Sequence, residues 1–166
     1  KKYGQGSVIA TDVREGNACQ ILDVMDAEGI HSLVSSEDIT DIYHLAALLS
    51  VTGERNPELC WKINVGGLEN VISAAKANGC RVFAPSSIAV FGPDCPSIAP
   101  QVTPLNPTTV YGKTKVVSEQ LAMTAGVDMR GLRYPGLVSY KAPAGGGTTD
   151  YAVEIFHAAL ANGHYT

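Results

Sequence analysis

Tyr111 and Lys115 stand four residues apart, and Pro85-Ser86-Ser87 ends 24 residues before the tyrosine. On a helix, residues four apart share one face, so the phenol and the ammonium point the same way. A nearby cation favours the phenolate and draws a tyrosine pKa down from about 10, as a tyrosine general base requires. Ser86 and Ser87 would add two hydroxyls at the tip of a strand over 81–87. Each signal also has an ordinary reading. Tyr and Lys occur four apart on solvated helix faces, and Ser pairs after strands serve as turn or capping residues.

Short apolar runs alternate with helical patterns along the chain, which predicts a parallel sheet with helical crossovers. Ser7 to Asp12 and Ala18 to Val24 read as buried strands, each closed by an acid, Asp12 and Asp23. An acid at the end of the second strand of a dinucleotide fold holds the adenosine ribose, although a strand-end Asp also simply starts turns. Residues 27–35 read as a poorly defined helix or crossover. Asp41 to Ser50 begins as a strand and continues into small residues, Ala46 and Ala47, where backbone can approach a ligand or pack as core. His44 has no His, Cys or acid at ligand spacing and reads as a satisfied core histidine.

A helix opens at Asn56-Pro57-Glu58, keeps close to a 3.6 period from Leu59 to Ala75 and ends at Gly79. Asn64 falls inside it, where a buried amide needs partners. In the strand from Arg81 to Ser87, Pro85 confines the ladder to the earlier residues. A loop with prolines at 93, 96, 100, 104 and 107 follows, then the Tyr111 helix to about Met123. Val127 to Leu137 makes another strand, broken by Pro135-Gly136. Gly145-Gly146-Gly147-Thr148-Thr149-Asp150 reads on composition as a mobile loop, opening a helix from about Asp150 to Ala161.

At 166 residues the chain is one domain's worth, and its 45% apolar and 17% charged fractions are those of a soluble globular protein. The net charge of -4, with scattered Lys and Arg, argues against nucleic acid as a partner. No apolar run is long enough for a membrane span and the first residues hold no signal-peptide core, so the cytoplasm is the expected location. Cys19, Cys60, Cys80 and Cys95 lack C-x-x-C or zinc-ligand spacing, which predicts four thiols and no metal site.

Taken in order, the strand-end Asp12, Asp23-Val24, Leu45-Ala46-Ala47, the helical Asn64, Ser86-Ser87, Tyr111-x-x-x-Lys115 and Tyr134-Pro135-Gly136 resemble the extended short-chain dehydrogenase/reductase superfamily. That superfamily includes sugar-nucleotide epimerases and dehydratases. Ala84 to Gly92, Val110 to Lys115, Leu132 to Gly136 and above all Gly145 to Ala152 look like its NAD-dependent L-threonine 3-dehydrogenases. The resemblance runs from Ser7 to His164. It implies an α/β fold, a Rossmann-like doubly wound parallel sheet with helices on both faces, incomplete at both ends. Residues 1–166 would form a partial NAD-binding domain, with 139–166 leading into a substrate lobe.

By the same resemblance Tyr111 is the general base, Lys115 holds the nicotinamide ribose, Ser87 hydrogen-bonds the reacting hydroxyl ahead of Ser86, and Asn64 supports a proton relay. Asp12 takes the adenosine ribose and favours NAD over NADP, Asp23 and Val24 flank the adenine, and Leu45, Ala46 and Ala47 line the cofactor. Tyr134, Pro135 and Leu137 lie by the nicotinamide. Ser50, Gly147, Thr148 and Thr149 join Ser87 and Tyr111 around L-threonine, which is oxidised to 2-amino-3-oxobutyrate. A homodimer through the Asn56–Gly79 and Tyr111 helices is implied as well. A sugar-nucleotide epimerase or dehydratase, or a catalytically silent dinucleotide-binding module, are the rival implications. The chain departs from the pattern in lacking a first strand with G-x-G-x-x-G and a closing C-terminal lobe, so a fragment of a larger enzyme is expected.

Overall fold

The computed structural model describes Gly4 and residues 6–16, 19–138 and 149–165. Two short strands, β1 (Ala10–Asp12) and β2 (Cys19–Ile21), pair in parallel from Ala10 opposite Cys19 to Asp12 opposite Ile21. Helix α1 (Ala27–Ser36) is better formed than its sequence suggests. Its start is fixed by Asp26, whose carboxylate accepts from the Gly29 N–H at 2.9 Å.

After β3 (Asp41–Tyr43) come α2 (Ser50–Arg55) and α3 (Pro57–Trp61), a π-helical turn over Lys62–Gly66, and α4 (Gly67–Asn78). The helix expected from Asn56 to Gly79 is therefore widened in its middle. Gly79 ends it at φ 69°, a left-handed position that a side chain would strain. Helix α2 carries no periodic signal, since six residues with Gly53 among them are too few to display one.

Strands β4 (Arg81–Phe83) and β5 (Ser86–Ser87), a 3-10 turn at Ile88–Val90, α5 (Val110–Thr124), β6 (Met129–Arg130), β7 (Arg133–Tyr134) and α6 (Tyr151–Asn162) complete the described chain. All pairings are parallel, in the orders β1-β2, β3-β4-β6 and β5-β7. The β4-β6 and β5-β7 pairs keep the same offset of 47 residues, from Val82 opposite Met129 to Ser87 opposite Tyr134. Pro85 does not end this ladder, contrary to the expectation from its position. Its missing N–H falls on the side of the strand that faces β3, while Ala84 N–H to the Arg130 carbonyl and Ser86 N–H to the Leu132 carbonyl, each 2.9 Å, continue the pairing on the other side without a break. The strand tip is thereby extended to Ser87. Beside Ala84, a Cβ on Gly131 would collide with the Ala84 carbonyl, so the two backbones meet where only glycine fits.

The core is built on α4. Val71, Ala74 and Ala75 pack with Ile30 and Val34 of α1 and with Cys80 and Val82, while Leu68 and Ile72 pack with Ala84 and the partly buried Leu121 and Ala125 of the α5 end. Each large aliphatic buried here contributes roughly 1.5–3 kcal/mol before entropy is counted. This packing fixes α1, α4 and α5 against the parallel strands, the Rossmann-like α/β arrangement, and sets α5 beside the β5 tip. Among the described residues no helix is long and apolar enough to cross a membrane, no group of three or more metal-ligating side chains occurs, and all four cysteines are free thiols.

Candidate active site

Helix α5 begins under three constraints that together set the direction of Tyr111. Thr109 caps the helix, its hydroxyl accepting from Gly112 N–H at 3.0 Å. The Glu54 carboxylate of α2 accepts from Tyr111 N–H at 3.2 Å, placing a negative charge at the positive end of the helix. Gly112 lies against the Ala89 carbonyl so closely that a Cβ would overlap it. The first turn of α5 is thus pressed onto the 3-10 turn that follows Ser87.

Ser87 opens that turn, its hydroxyl oxygen accepting from Ala89 N–H at 3.1 Å, and its side chain lies near enough to the Tyr111 phenol to favour the ionised form. Lys115 lies one turn along α5, its Nζ 5.6 Å from the centroid of the Tyr111 ring, so the two do share a face. The ammonium is buried and donates to the Pro85 carbonyl at 2.8 Å. One helix and one strand tip therefore bring Ser87, Tyr111 and Lys115 together.

The electrostatics differ from the sequence expectation. Burial pushes the Tyr111 phenol above its usual range, and the nearby Ser87 side chain only partly opposes it. Burial also draws the Lys115 ammonium down. The cation beside the ring does not outweigh desolvation here, and Tyr111 is a neutral phenol at pH 7. His44 is buried near Lys115, and desolvation, reinforced by that charge, lowers its pKa to about 4. It is a neutral core imidazole under ordinary conditions.

Asn64 sits in the π-helical turn, almost fully buried. Its Oδ1 accepts from Leu48 N–H at 2.8 Å, and its Nδ2 donates to the Leu48 carbonyl at 3.1 Å, to Thr114 Oγ1 at 3.2 Å and to Cys60 Sγ at 3.4 Å. Thr114 in turn donates to the Tyr111 carbonyl at 2.7 Å. The amide clamps the segment after β3 to the tyrosine helix, which is why a polar residue is held in that apolar setting.

The remaining sequence-derived residues occupy the carboxyl ends of strands, where ligands bind in open α/β folds. Asp12 closes β1, exposed, with Oδ1 accepting from Arg14 N–H at 2.9 Å. Asp23 turns the chain after β2 by accepting from Met25 N–H at 2.9 Å. Val24 packs on Gly67 and gives its carbonyl to Asn70 Nδ2 at 2.9 Å. Leu45, Ala46 and Ala47 follow β3, while Tyr134, Pro135 and Leu137 end and follow β7. Leu45 and Leu137 are 68% and 66% exposed, apolar groups at the carboxyl ends of their strands, the edge that also carries the exposed Asp12 carboxylate. That donor set fits a dinucleotide with apolar rings and ribose hydroxyls. Ser50 begins α2, and Thr149 donates to the Leu137 carbonyl at 3.0 Å. Gly147 and Thr148 lie outside the described residues.

Several neighbours escape a reading by motif. Glu54, Thr114 and the buried Cys60 surround the Tyr111 turn without any local pattern to announce them. Glu119 and Arg133 hold Ser86, and only the spacing of Glu119, four residues beyond Lys115, offered a clue.

The model of the NAD dependent epimerase/dehydratase family matches residues 3–163. An uncharacterized epimerase/dehydratase of Staphylococcus aureus (strain USA300) is 46% identical over 177 aligned positions, covering 99% of this chain and 55% of the relative. A monomeric L-threonine 3-dehydrogenase of metagenomic origin, in its apo form, superposes with a TM-score of 0.90 at 47% identity, covering 98% of this chain and 56% of the other. The GalE-like L-threonine dehydrogenase from Cupriavidus necator, in its holo form, gives 0.89 at 45% identity over 96% and 55%. The chain spans about half the length of the proteins it matches.

Proposed function

Because this chain belongs to the NAD dependent epimerase/dehydratase family, we propose that the protein it forms part of oxidises L-threonine to 2-amino-3-oxobutyrate with NAD, through Ser87, Tyr111 and Lys115. The observation that carries the reading is Lys115 Nζ lying 5.6 Å from the centroid of the Tyr111 ring and bonded to Pro85, which puts both α5 groups at the strand tip that bears Ser87. The similarity to L-threonine dehydrogenases over nearly all of this chain supports the choice of substrate.

Ser87 orients the substrate hydroxyl and Tyr111 receives its proton. NAD, when bound, accepts the hydride from the carbon that carries this hydroxyl. Lys115 has two N–H donors beyond the one on Pro85, and these hold ribose hydroxyls. Asp12 accepts from the adenosine ribose, and its charge opposes a 2′-phosphate. Leu45, Ala46, Ala47, Asp23 and Val24 line the adenosine side, and Tyr134, Pro135 and Leu137 the nicotinamide side. Ser50, Gly147, Thr148 and Thr149 hold the amino acid's charged ends. Asn64 keeps Tyr111 and the segment after β3 in register, the protein's part being position and proton flow. A cytoplasmic homodimer is part of the proposal, and sedimentation of the full-length protein reads its oligomeric state.

The test is NADH formation by the full-length protein with L-threonine against UDP-galactose. Turnover of threonine, lost in Tyr111→Phe, supports the reading. Conversion of the nucleotide sugar alone would favour the second reading, an epimerase or dehydratase, which the description of the Staphylococcus relative motivates. Threonine activity unchanged in Tyr111→Phe would remove the mechanism.

A further inference from the structure

The strand tip that carries Ser87 is held from below by a side-chain junction outside the Ser-Tyr-Lys cluster. Glu119 lies one turn beyond Lys115 on the same helix. Its Oε1 accepts from the buried Ser86 hydroxyl at 2.6 Å and from Arg133 Nε at 2.8 Å, and its Oε2 accepts from Arg133 Nη2 at 2.7 Å. Arg133 also donates through Nη1 to the Gln101 carbonyl at 3.3 Å and stacks over the Phe91 ring with its guanidinium carbon 5.2 Å from the centroid. Both charged side chains are largely withdrawn from solvent, at 16% and 22% exposure. A forked pair so placed has fixed geometry, unlike a solvated surface pair.

Its location gives it a use. Ser86 precedes Ser87, and Arg133 precedes Tyr134, with Ser86 opposite Arg133 and Ser87 opposite Tyr134 in the ladder. Directly before this pair of residues, Pro85 offers no N–H on the side of the strand where Arg81 and Phe83 bond the β3 segment. The tip at Ser86 and Ser87 is therefore held through its β7 side and through side chains. The Glu119 carboxylate joins the three elements concerned: the helix bearing Tyr111 and Lys115, the tip bearing Ser87, and the strand leading to Tyr134.

We propose that Glu119, forked to Arg133 and bonded to Ser86, is a positioning residue that fixes the Ser87 hydroxyl against the Tyr111 phenol. The role rests on the catalytic reading of Ser87 and Tyr111 given above. It goes beyond that reading, because Glu119 touches neither substrate nor cofactor and acts only through the strand tip.

The experiment compares Glu119→Gln, Arg133→Lys and Ser86→Ala in the full-length protein, using two readouts. The first is turnover of L-threonine: kcat is expected to fall about tenfold in Glu119→Gln with KM changed by less than about threefold, because misplacement affects the reacting geometry more than binding. The second needs no substrate. With ¹³Cζ-labelled tyrosine, the resonance absent from Tyr111→Phe identifies Tyr111, and its titration midpoint is expected to rise by about half a unit in Glu119→Gln as Ser87 moves away from the phenol. Ser86→Ala, the mildest change, shifts both in the same direction, and Arg133→Lys does so because a lysine cannot form the fork. A lowered melting temperature with an unmoved Tyr111 titration and unchanged kcat would reduce the junction to a structural brace and overturn the proposal. If the wild type fails to oxidise threonine while the titration moves as stated, the substrate assignment fails and the positioning role stands.

Discussion

Lys115 Nζ donates to the carbonyl of Pro85 at 2.8 Å, so the helix that bears Tyr111 is tied to the one backbone position in the strand tip that has no N–H of its own. The ammonium lies beside the Tyr111 ring yet is directed at the strand. Two consequences can be measured, one for Lys115 and one for Tyr111.

Lys115→Met removes both the tie to Pro85 and the donors proposed to hold the ribose. The expected result is weaker NAD binding, by about tenfold or more in Kd, together with a loss of turnover, since a charge-assisted hydrogen bond contributes on the order of 1.5–3 kcal/mol. Isothermal titration with NAD checks it, and unaltered affinity would contradict the assignment.

Tyr111 is neutral at pH 7, its phenol pushed up by burial against the opposing influence of the nearby Ser87 side chain. A base in this state works better as pH rises. The rate of threonine oxidation should therefore climb through the neutral and alkaline range. Ser87→Ala should move that limb to still higher pH and lower kcat by roughly 10²-fold, the low end of what one positioned proton-transfer group supplies. A profile flat from pH 6 to 10 in the wild type would not fit a tyrosine base.

His44 supplies a stability effect at acid pH. Its folded pKa of about 4 lies below the unfolded 6.5, so between these values the unfolded chain binds more protons and stability rises with pH. The contribution is complete above 6.5 and is lost as pH falls to about 4. It amounts to about 3 kcal/mol over the window. Urea unfolding at pH 7, 5.5 and 4 measures it, and His44→Gln should flatten the dependence above pH 4.5. Glu119, whose carboxyl Arg133 holds below its usual 4.5, produces a separate loss only as pH falls beneath that value.

Gly112→Ala and Asn64→Ala probe the two contacts that orient the tyrosine helix. The alanine methyl at 112 would overlap the Ala89 carbonyl, and relieving it by moving α5 should cost about 1–3 kcal/mol along with most of the activity. Removing the Asn64 amide leaves both groups of the half-buried Leu48 backbone without their protein partner, a loss of about 1–3 kcal/mol in all because water reaches part of the site. Chemical denaturation compares the two variants with wild type, and a change within about 0.5 kcal/mol, as at ordinary surface sites, would argue against the packing described.

Under the proposed cofactor site, Asp12→Ala should weaken NAD more than NADP, because a carboxylate there would accept from the ribose of one and repel the 2′-phosphate of the other. Binding measured for both cofactors decides it. Equal losses would leave Asp12 a turn residue, the role its bond to Arg14 N–H already fills.

Much of the scaffold was legible in the sequence for a physical reason: periodicity and punctuation are local. The apolar spacing from Leu59 to Ala75, the glycine at 79 and the i, i+4 relation of Tyr111 and Lys115 follow from helix geometry alone, and each reappears in α3 to α4 and in α5. Where the local rules failed, a tertiary contact prevailed. The Asp26 cap and the packing of Ile30 and Val34 on α4 make a firm helix of residues 27–36, and the ladder steps over Pro85 because Ala84 and Ser86 still find partners across the sheet.

The sequence by itself determined which reactive groups are available, their order, and that Tyr111 and Lys115 share a face. Only the tertiary structure decided their state. It set Ser87 rather than Ser86 at the phenol by giving Ser86 to Glu119, and it turned Lys115 toward Pro85. It also made desolvation, which no spacing encodes, the dominant influence on Tyr111, Lys115 and His44. Burial is a property of packed elements far apart in the chain, and the charge of a buried group follows from it.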